Sequence, residues 1–224
     1  MPEIGVVYTC RGLDANWRIR LPRFITSYLR RPAGIDHRLY ILYKNFAGPS
    51  GLAWAREQLA VLGNRVELLN HLDSKALAGC TEVHADVTEP LLCHLNSSTE
   101  IMHENWLNLL YGVFRKPGTG LVGCTGSRVA NLHVRDTAFL MACEDYFTIA
   151  RQFDWEEKSR TGPLEFEHGP NNLTIQTMRS DRHVFVVEKD RVIAPNEWPS
   201  PTTYQGNLHN VLVHDRGARD YQDL

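Results

Sequence analysis

The chain has 224 residues, with Lys+Arg 24 against Asp+Glu 26 and a net charge of −2. That length suits one domain, or one domain with a small appendage, and is long enough to bury a sizeable core. Charged residues at 22% and hydrophobic residues at 43% exclude disorder, collagen and coiled coil, and the charge balance excludes a broadly basic nucleic-acid coat.

Ile4-Gly5-Val6-Val7-Tyr8-Thr9 is an apolar, β-rich run and predicts a buried first strand, with Cys10-Arg11-Gly12 leaving it as a loop. Pro22 suits the first position of a helix carrying Phe24, Ile25, Tyr28 and Leu29, which ends at Pro32-Ala33-Gly34. Arg38 to Tyr43 predicts a second strand, Leu52 to Leu62 a helix closed by Gly63, and Arg65 to Leu69 a third strand. The stretch from His71 to Thr88 is less clear, with a helical pattern around Glu82. Leu91 to Leu95 reads as a fourth strand, followed directly by Asn96-Ser97-Ser98-Thr99-Glu100 and a helix marked by Trp106, Leu109, Leu110, Val113 and Phe114. Leu121 to Cys124 and Ala138 to Ala142 are further strands; Pro170 to Ser180 predicts a helix and Val184 to Val187 a strand. From Ala194 the chain reads as an irregular wrap.

No apolar run approaches the ~20 residues that span a bilayer, and the N-terminus shows no basic-then-apolar leader. The cysteines, Cys10, Cys80, Cys93, Cys124 and Cys143, are odd in number and lack a C-x-x-C pair. This argues against a disulfide framework or a cysteine zinc site, and for a reducing cytoplasm. Strand and helix alternate through the first half, so the class is α/β with a largely parallel central sheet. Ligands of such sheets sit outside the carboxyl ends of strands, where the strand order switches.

Gly118-Thr119-Gly120-Leu121-Val122-Gly123 matches G-x-G-x-x-G, but it follows a helix and enters a strand, the reverse of a dinucleotide fingerprint, and is read as a turn. His209 and His214 are five apart, on opposite faces of an extended strand, so they do not form a joint metal pair; either alone is a structural histidine or a single ligand. Glu165, Glu167 and His168 precede the helix expected from Pro170. They are either acids stabilised by its dipole or a general base at the rim of the sheet. Asn96-Ser97-Ser98-Thr99-Glu100 is a capping connection or, by its position after a strand, a ligand site.

In order along the chain, four features form a pattern: the opening strand with Arg11; Pro32-Ala33-Gly34-Ile35-Asp36-His37-Arg38-Leu39; Leu91 to Ile101 with Asn105-Trp106-Leu107; and Gly120 to Ser127. Leu173 to Val187, Glu197-Trp198-Pro199 and Gln205-Gly206-Asn207 complete it. This pattern resembles the GT-A-fold nucleotide-sugar glycosyltransferases, especially bacterial family-two-like members. The resemblance implies a single GT-A-like domain, with a mostly parallel, mixed central sheet flanked by helices. Residues 1–116 would form its nucleotide-binding half, 117–193 the acceptor side and 194–224 a C-terminal wrap. It implies transfer of a sugar from a nucleoside-diphosphate donor to a hydroxyl of a glycan or other acceptor, by an inverting single displacement, in glycan or polysaccharide synthesis. No nucleic-acid partner is expected.

By the same resemblance Thr9, Arg11, Lys44, Asp73, Asn96, Ser98 and Arg128 contact the nucleotide sugar, and Glu167 and His168 are the candidates for the base. The family's D-x-D reads Asn96-Ser97-Ser98 here, and its acceptor-side acidic pair has no match beside Gly169-Pro170. Three readings follow. A divalent metal, Mn²⁺ or Mg²⁺, is held by Glu100 with Asp73 or a tail histidine such as His214. Alternatively, Asn96, Ser98 and nearby cations hold the diphosphate without metal. In the third, the chain is a non-catalytic nucleotide-sugar-binding or accessory module.

Overall fold

The computed structural model describes residues 2–70, 86–153, 161–198 and 210–214. Strand β1 (Ile4–Arg11) leads into helix α1 (Trp17–Arg30), β2 (Arg38–Lys44), α2 (Pro49–Leu59) and β3 (Val66–Asn70). Then come β4 (Leu91–Leu95), the short β5 (Glu100–Ile101), α3 (Trp106–Phe114), β6 (Thr119–Gly123) and the hairpin β7 (Gly126–Ser127) and β8 (His133–Val134). The rest is β9 (Ala138–Ala142), α4 (Cys143–Ala150), α5 (Thr161–His168), α6 (Leu173–Arg179), β10 (His183–Val187), β11 (Val192–Ile193) and β12 (Val213–His214).

Eight strands form one sheet in the order β11-β10-β6-β9-β4-β1-β2-β3. β1 pairs in parallel with both β2 and β4. β9 runs antiparallel between β4 and β6, and β11 antiparallel on β10. Six strands therefore share one direction and two oppose it, the mixed, mostly parallel sheet expected from the sequence. The first crossovers step from β1 out to β2 and β3; the chain then returns to the other side of β1. The switch in strand order lies between β1 and β4, so the crevice falls beyond Arg11 and Leu95.

Both faces of the sheet are covered, which is why its strands read as continuous apolar runs rather than alternating ones. On one face Ile4, Val6, Tyr8, Ile41, Cys93 and Val122 pack with Phe24 of α1 and Trp106, Leu107 and Leu110 of α3. On the other, Val7, Leu42, Leu92, Leu121, Met141 and Val186 pack with Tyr146, Ile149, Phe166 and Leu173. β12 returns from the C-terminal segment to pair with β5, placing His214 opposite Glu100.

Several boundaries differ from the sequence reading. Arg11 belongs to β1, because β2 continues to Lys44 and pairs with it. α1 starts at Trp17, five residues before Pro22. Trp17 is anchored edge-on against Phe46 and Trp54, at centroid distances of 5.1 and 5.2 Å, and this tertiary contact outweighs the preference of proline for a helix start. α6 starts at Leu173 rather than Pro170, because Asn172 is its N-cap and accepts from the Ile175 N–H at 3.0 Å. Glu165, Glu167 and His168 consequently close the preceding helix, α5, instead of flanking an N-terminus. The reading of a helix around Glu82 falls outside the described residues.

The glycine-rich passage is the turn residue Gly118 followed by strand β6, as expected of a turn entering a strand. Its last glycine is required by packing: a Cβ at Gly123 would lie 2.2 Å from Val134 Cγ1.

Candidate functional site

The carboxyl ends of β1, β2 and β4 form one edge. Arg11 and Lys44 are register partners, so their side chains leave the same face of the sheet. Lys44 is buried. Its charge reinforces the effect of burial on His94, whose pKa is pushed down to about 4, leaving a neutral imidazole stacked on Phe139 at 5.2 Å. Thr9 is buried two residues before Arg11 on the same face. Two buried polar atoms at this edge have no hydrogen-bond partner, Arg11 Nε and Asn45 Oδ1. Asn45 holds a left-handed backbone, φ 51°. Orphaned buried groups are uncommon, and each needs a physical account.

The turn after β4 is built by its own side chains. Asn96 Oδ1 accepts from the Ser98 N–H and from Ser98 Oγ, both at 2.9 Å. Asn96 Nδ2 donates to Asp136 Oδ1 at 3.3 Å, and Thr99 Oγ1 donates to the Thr137 carbonyl at 2.9 Å. The Ser97 hydroxyl donates to Asp14 Oδ2. Asp14 also meets Arg11 Nη1 at 2.8 Å and Arg20 Nη1 at 3.6 Å, while the Tyr8 hydroxyl donates to the Ser97 carbonyl at 3.3 Å. One polar network thus ties the end of β1, the start of α1 and the turn after β4. Sequence reasoning missed Asp14 and Asp136. No motif marks either, and each reaches the site only because the sheet sets β1 and β9 on either side of β4.

The acceptor-side candidates sit on the next wall. His168, at the end of α5, accepts from Asn131 Nδ2 through its carbonyl at 2.9 Å. Its ring lies 5.7 Å from that of His133. His133 was not singled out by the sequence. Its Nδ1 contacts the Asn131 carbonyl at 2.8 Å; a carbonyl only accepts, so the proton is on Nδ1 and the neutral ring keeps Nε2 as an acceptor. Burial, with smaller contributions from His168 and Arg135, lowers the His133 pKa. Two residues separate His133 from Asp136, a span of at most about 11 Å of chain. Glu167 is half-buried beside His168.

Arg128 donates to the Pro195 carbonyl at 2.6 Å, which fastens the β7–β8 hairpin to the segment where Trp198 covers Gly126. Asp73 lies outside the described residues. Glu100 and His214 are cross-strand neighbours, yet the described residues contain no group of three or more His, Cys, Asp or Glu able to hold a metal. Both oxygens at the D-x-D positions belong to neutral side chains, and Asn96 Oδ1 is already taken by Ser98. The described donor set therefore does not fit a hard divalent cation.

A mostly parallel sheet with a switch point at β1/β4, an inserted antiparallel β9 and a polar turn after β4 define a GT-A-like fold. Solved structures share it. The chain is similar to a mannosyltransferase, PcManGT, from Pyrobaculum calidifontis in complex with GDP-Man and Mn²⁺: TM-score 0.62, 8% identity, over 89% of this chain and 58% of that one. It is similar to residues 1–349 of TarS from S. aureus, with TM-score 0.52 and 10% identity over 72% of this chain and 53% of that one. It is also similar to CMP:2-keto-3-deoxy-manno-octonic acid synthetase complexed with CTP, with TM-score 0.51 and 10% identity over 81% and 88%. The chain thus spans little more than half the length of the mannosyltransferase and TarS chains. No family model and no curated protein sequence matches it. Among the described residues no helix is long and apolar enough to cross a membrane.

Proposed function

We propose that the protein transfers a sugar from a nucleoside-diphosphate donor to an acceptor hydroxyl. The observation that carries this reading is the edge at the β1/β4 switch point, where Arg11 and Lys44 end neighbouring strands, Asn45 Oδ1 is buried without a partner, and Asp14 links Arg11 to Ser97 in the turn after β4. Cationic and hydrogen-bonding groups set at a strand-end crevice suit a diphosphate, whose charge grows as the bond to C1 breaks. In the reaction the acceptor oxygen attacks C1, the C1–O bond to the diphosphate breaks, and a base takes the hydroxyl proton, inverting the anomeric centre. His168 and Glu167 are the candidate bases, and His133, a buried neutral imidazole with its proton on Nδ1, joins them. No step is routed through a metal, because the described donors do not fit one. Thr9 and Arg128 are contacts of second rank in this reading, Thr9 being buried in β1 and Arg128 engaged with Pro195.

A second reading, a non-catalytic nucleotide-sugar-binding module, draws support from Asn96 and Ser98 standing where the family carries acids. Melting the protein with UDP-, GDP-, dTDP- and CMP-sugars, each with Mn²⁺, Mg²⁺ or EDTA, tests both, since a ligand that binds only the folded state raises Tm. A shift with one donor, accompanied by donor hydrolysis, is the expected result; a shift without turnover selects the module. No shift with any donor refutes nucleotide-sugar binding.

A further inference from the structure

A separate cavity of about 290 Å³ opens on the flank of α1, lined by Pro22, Arg23, Thr26, Ser27, Arg30, Arg31 and Glu100. The spacing of Arg23, Thr26, Ser27 and Arg30 puts them on one side of the helix. Glu100 forms part of the facing wall, because the Ile101 N–H donates to Ser27 Oγ at 3.0 Å and holds β5 against α1. Arg23 and Arg30 are exposed and Arg31 half-buried. Among the described residues none of the three makes an ion pair or a side-chain hydrogen bond. Three guanidinium groups thus share one concavity with a single carboxylate, on a chain whose net charge is −2. The helix dipole favours Arg30 in the last turn of α1. It does not favour Arg23 in the helix middle.

We propose that this cavity is a second, anionic subsite that binds the phosphate of a phosphorylated polyol or sugar. Guanidinium forks match phosphate oxygens in pairs, and Glu100 is the carboxylate on the wall beside any hydroxyl the same molecule carries. The volume suits one such unit, being at the small end of ligand pockets. Glu100 follows Ser98 by two residues, at most about 7 Å of chain. Resting on the glycosyltransferase reading, the ligand is the acceptor; the binding itself does not depend on that reading.

The test is calorimetric titration of the full chain with glycerol 3-phosphate, and with inorganic phosphate, at low salt and without donor. Binding in the millimolar range or tighter is expected. Arg23→Gln and Arg30→Gln should each weaken it about tenfold, as loss of a charge-assisted contact does. Arg115→Gln, on the exposed end of α3, should leave it unchanged, and melting curves should show all variants folded. Absence of binding, or equal weakening by Arg115→Gln, overturns the proposal. Sedimentation with phosphatidylglycerol vesicles against phosphatidylcholine vesicles then names the source. Arg23- and Arg30-dependent sedimentation assigns a lipid headgroup, with Ile19 and Leu29 exposed on the same helix; its absence assigns a soluble phosphoester. Retained nucleotide-sugar binding in Arg23→Gln separates failure of this subsite from failure of the donor site.

Discussion

Asn96→Asp is the sharpest perturbation of the turn after β4. The wild-type amide donates to Asp136 Oδ1 at 3.3 Å; the variant sets a second carboxylate there. Two unit charges at that separation repel by about 5 kcal/mol at an effective dielectric constant near 20, and by about 1 kcal/mol in water. Both residues are half-buried, so a cost of about 3 kcal/mol is expected once the lost hydrogen bond is included. For a domain of this size that lowers Tm by about 6–12 °C. Protonating either carboxyl removes the repulsion, so the deficit is present at neutral pH and shrinks as the pH falls through the carboxylate range. The paired carboxylates also create a hard cation site, so Mn²⁺ should raise the Tm of Asn96→Asp and not that of the wild type. Differential scanning fluorimetry at low ionic strength, with and without Mn²⁺, reads all of this. An unchanged Tm at neutral pH, or a variant indifferent to Mn²⁺, would refute the argument that Asn96 and Asp136 face each other as a neutral–charged pair.

Arg11→Gln should weaken donor binding at least tenfold, because the guanidinium is the cation at the end of β1; equal donor affinity in variant and wild type would exclude Arg11 from the site. His94, with its pKa lowered from 6.5 to about 4, stays neutral in the fold while the unfolded chain protonates. Its contribution is present above pH 6.5 and lost as the pH falls toward 4, at most about 3 kcal/mol. Urea melts between those pH values should show this slope, reduced in His94→Gln. Gly123→Ala forces a methyl within 2.2 Å of Val134 Cγ1 and should cost about 1–3 kcal/mol, measured by the urea midpoint.

The sheet was legible because buried parallel strands are continuous apolar runs of five to eight residues bounded by polar turns, as in Ile4–Arg11 and Leu91–Leu95. The switch-point rule then directs attention to the strand ends that carry Arg11, Lys44 and Asn96, without any motif. The α5 helix and the β7–β8 hairpin were not legible. β7 and β8 are two residues each, too short for a period, and are held by Thr174 Oγ1 and Asn172 Nδ2 reaching across from α6 to Val134 N and the Leu132 carbonyl, at 2.7 and 3.0 Å. The partners of the site were hidden for a similar reason. Asp14 stands 83 residues from Ser97, and Asp136 stands 40 from Asn96, so only tertiary structure joins them.

The charge at this edge bears on how it would receive a diphosphate. In the network itself, Arg11 and Arg20 bring two positive charges and Asp14 and Asp136 two negative ones, which balance. Two carboxylates at positions 96 and 98 would leave it at −2, and a bound divalent cation would restore the balance. Replacing both acids by Asn96 and Ser98 thus reaches the same net charge with no metal. On the proposed function this favours donor binding that survives EDTA, with affinity falling as salt screens the guanidinium–phosphate contacts. On the same proposal Asp14 would act without touching the ligand: through Arg11, Arg20 and Ser97 it holds the two guanidinium groups and the turn in one geometry. Asp14→Asn should therefore lower donor affinity by loosening Arg11, although it raises the net positive charge of the edge. An increase in affinity would show that bulk charge, not preorganisation, governs the site.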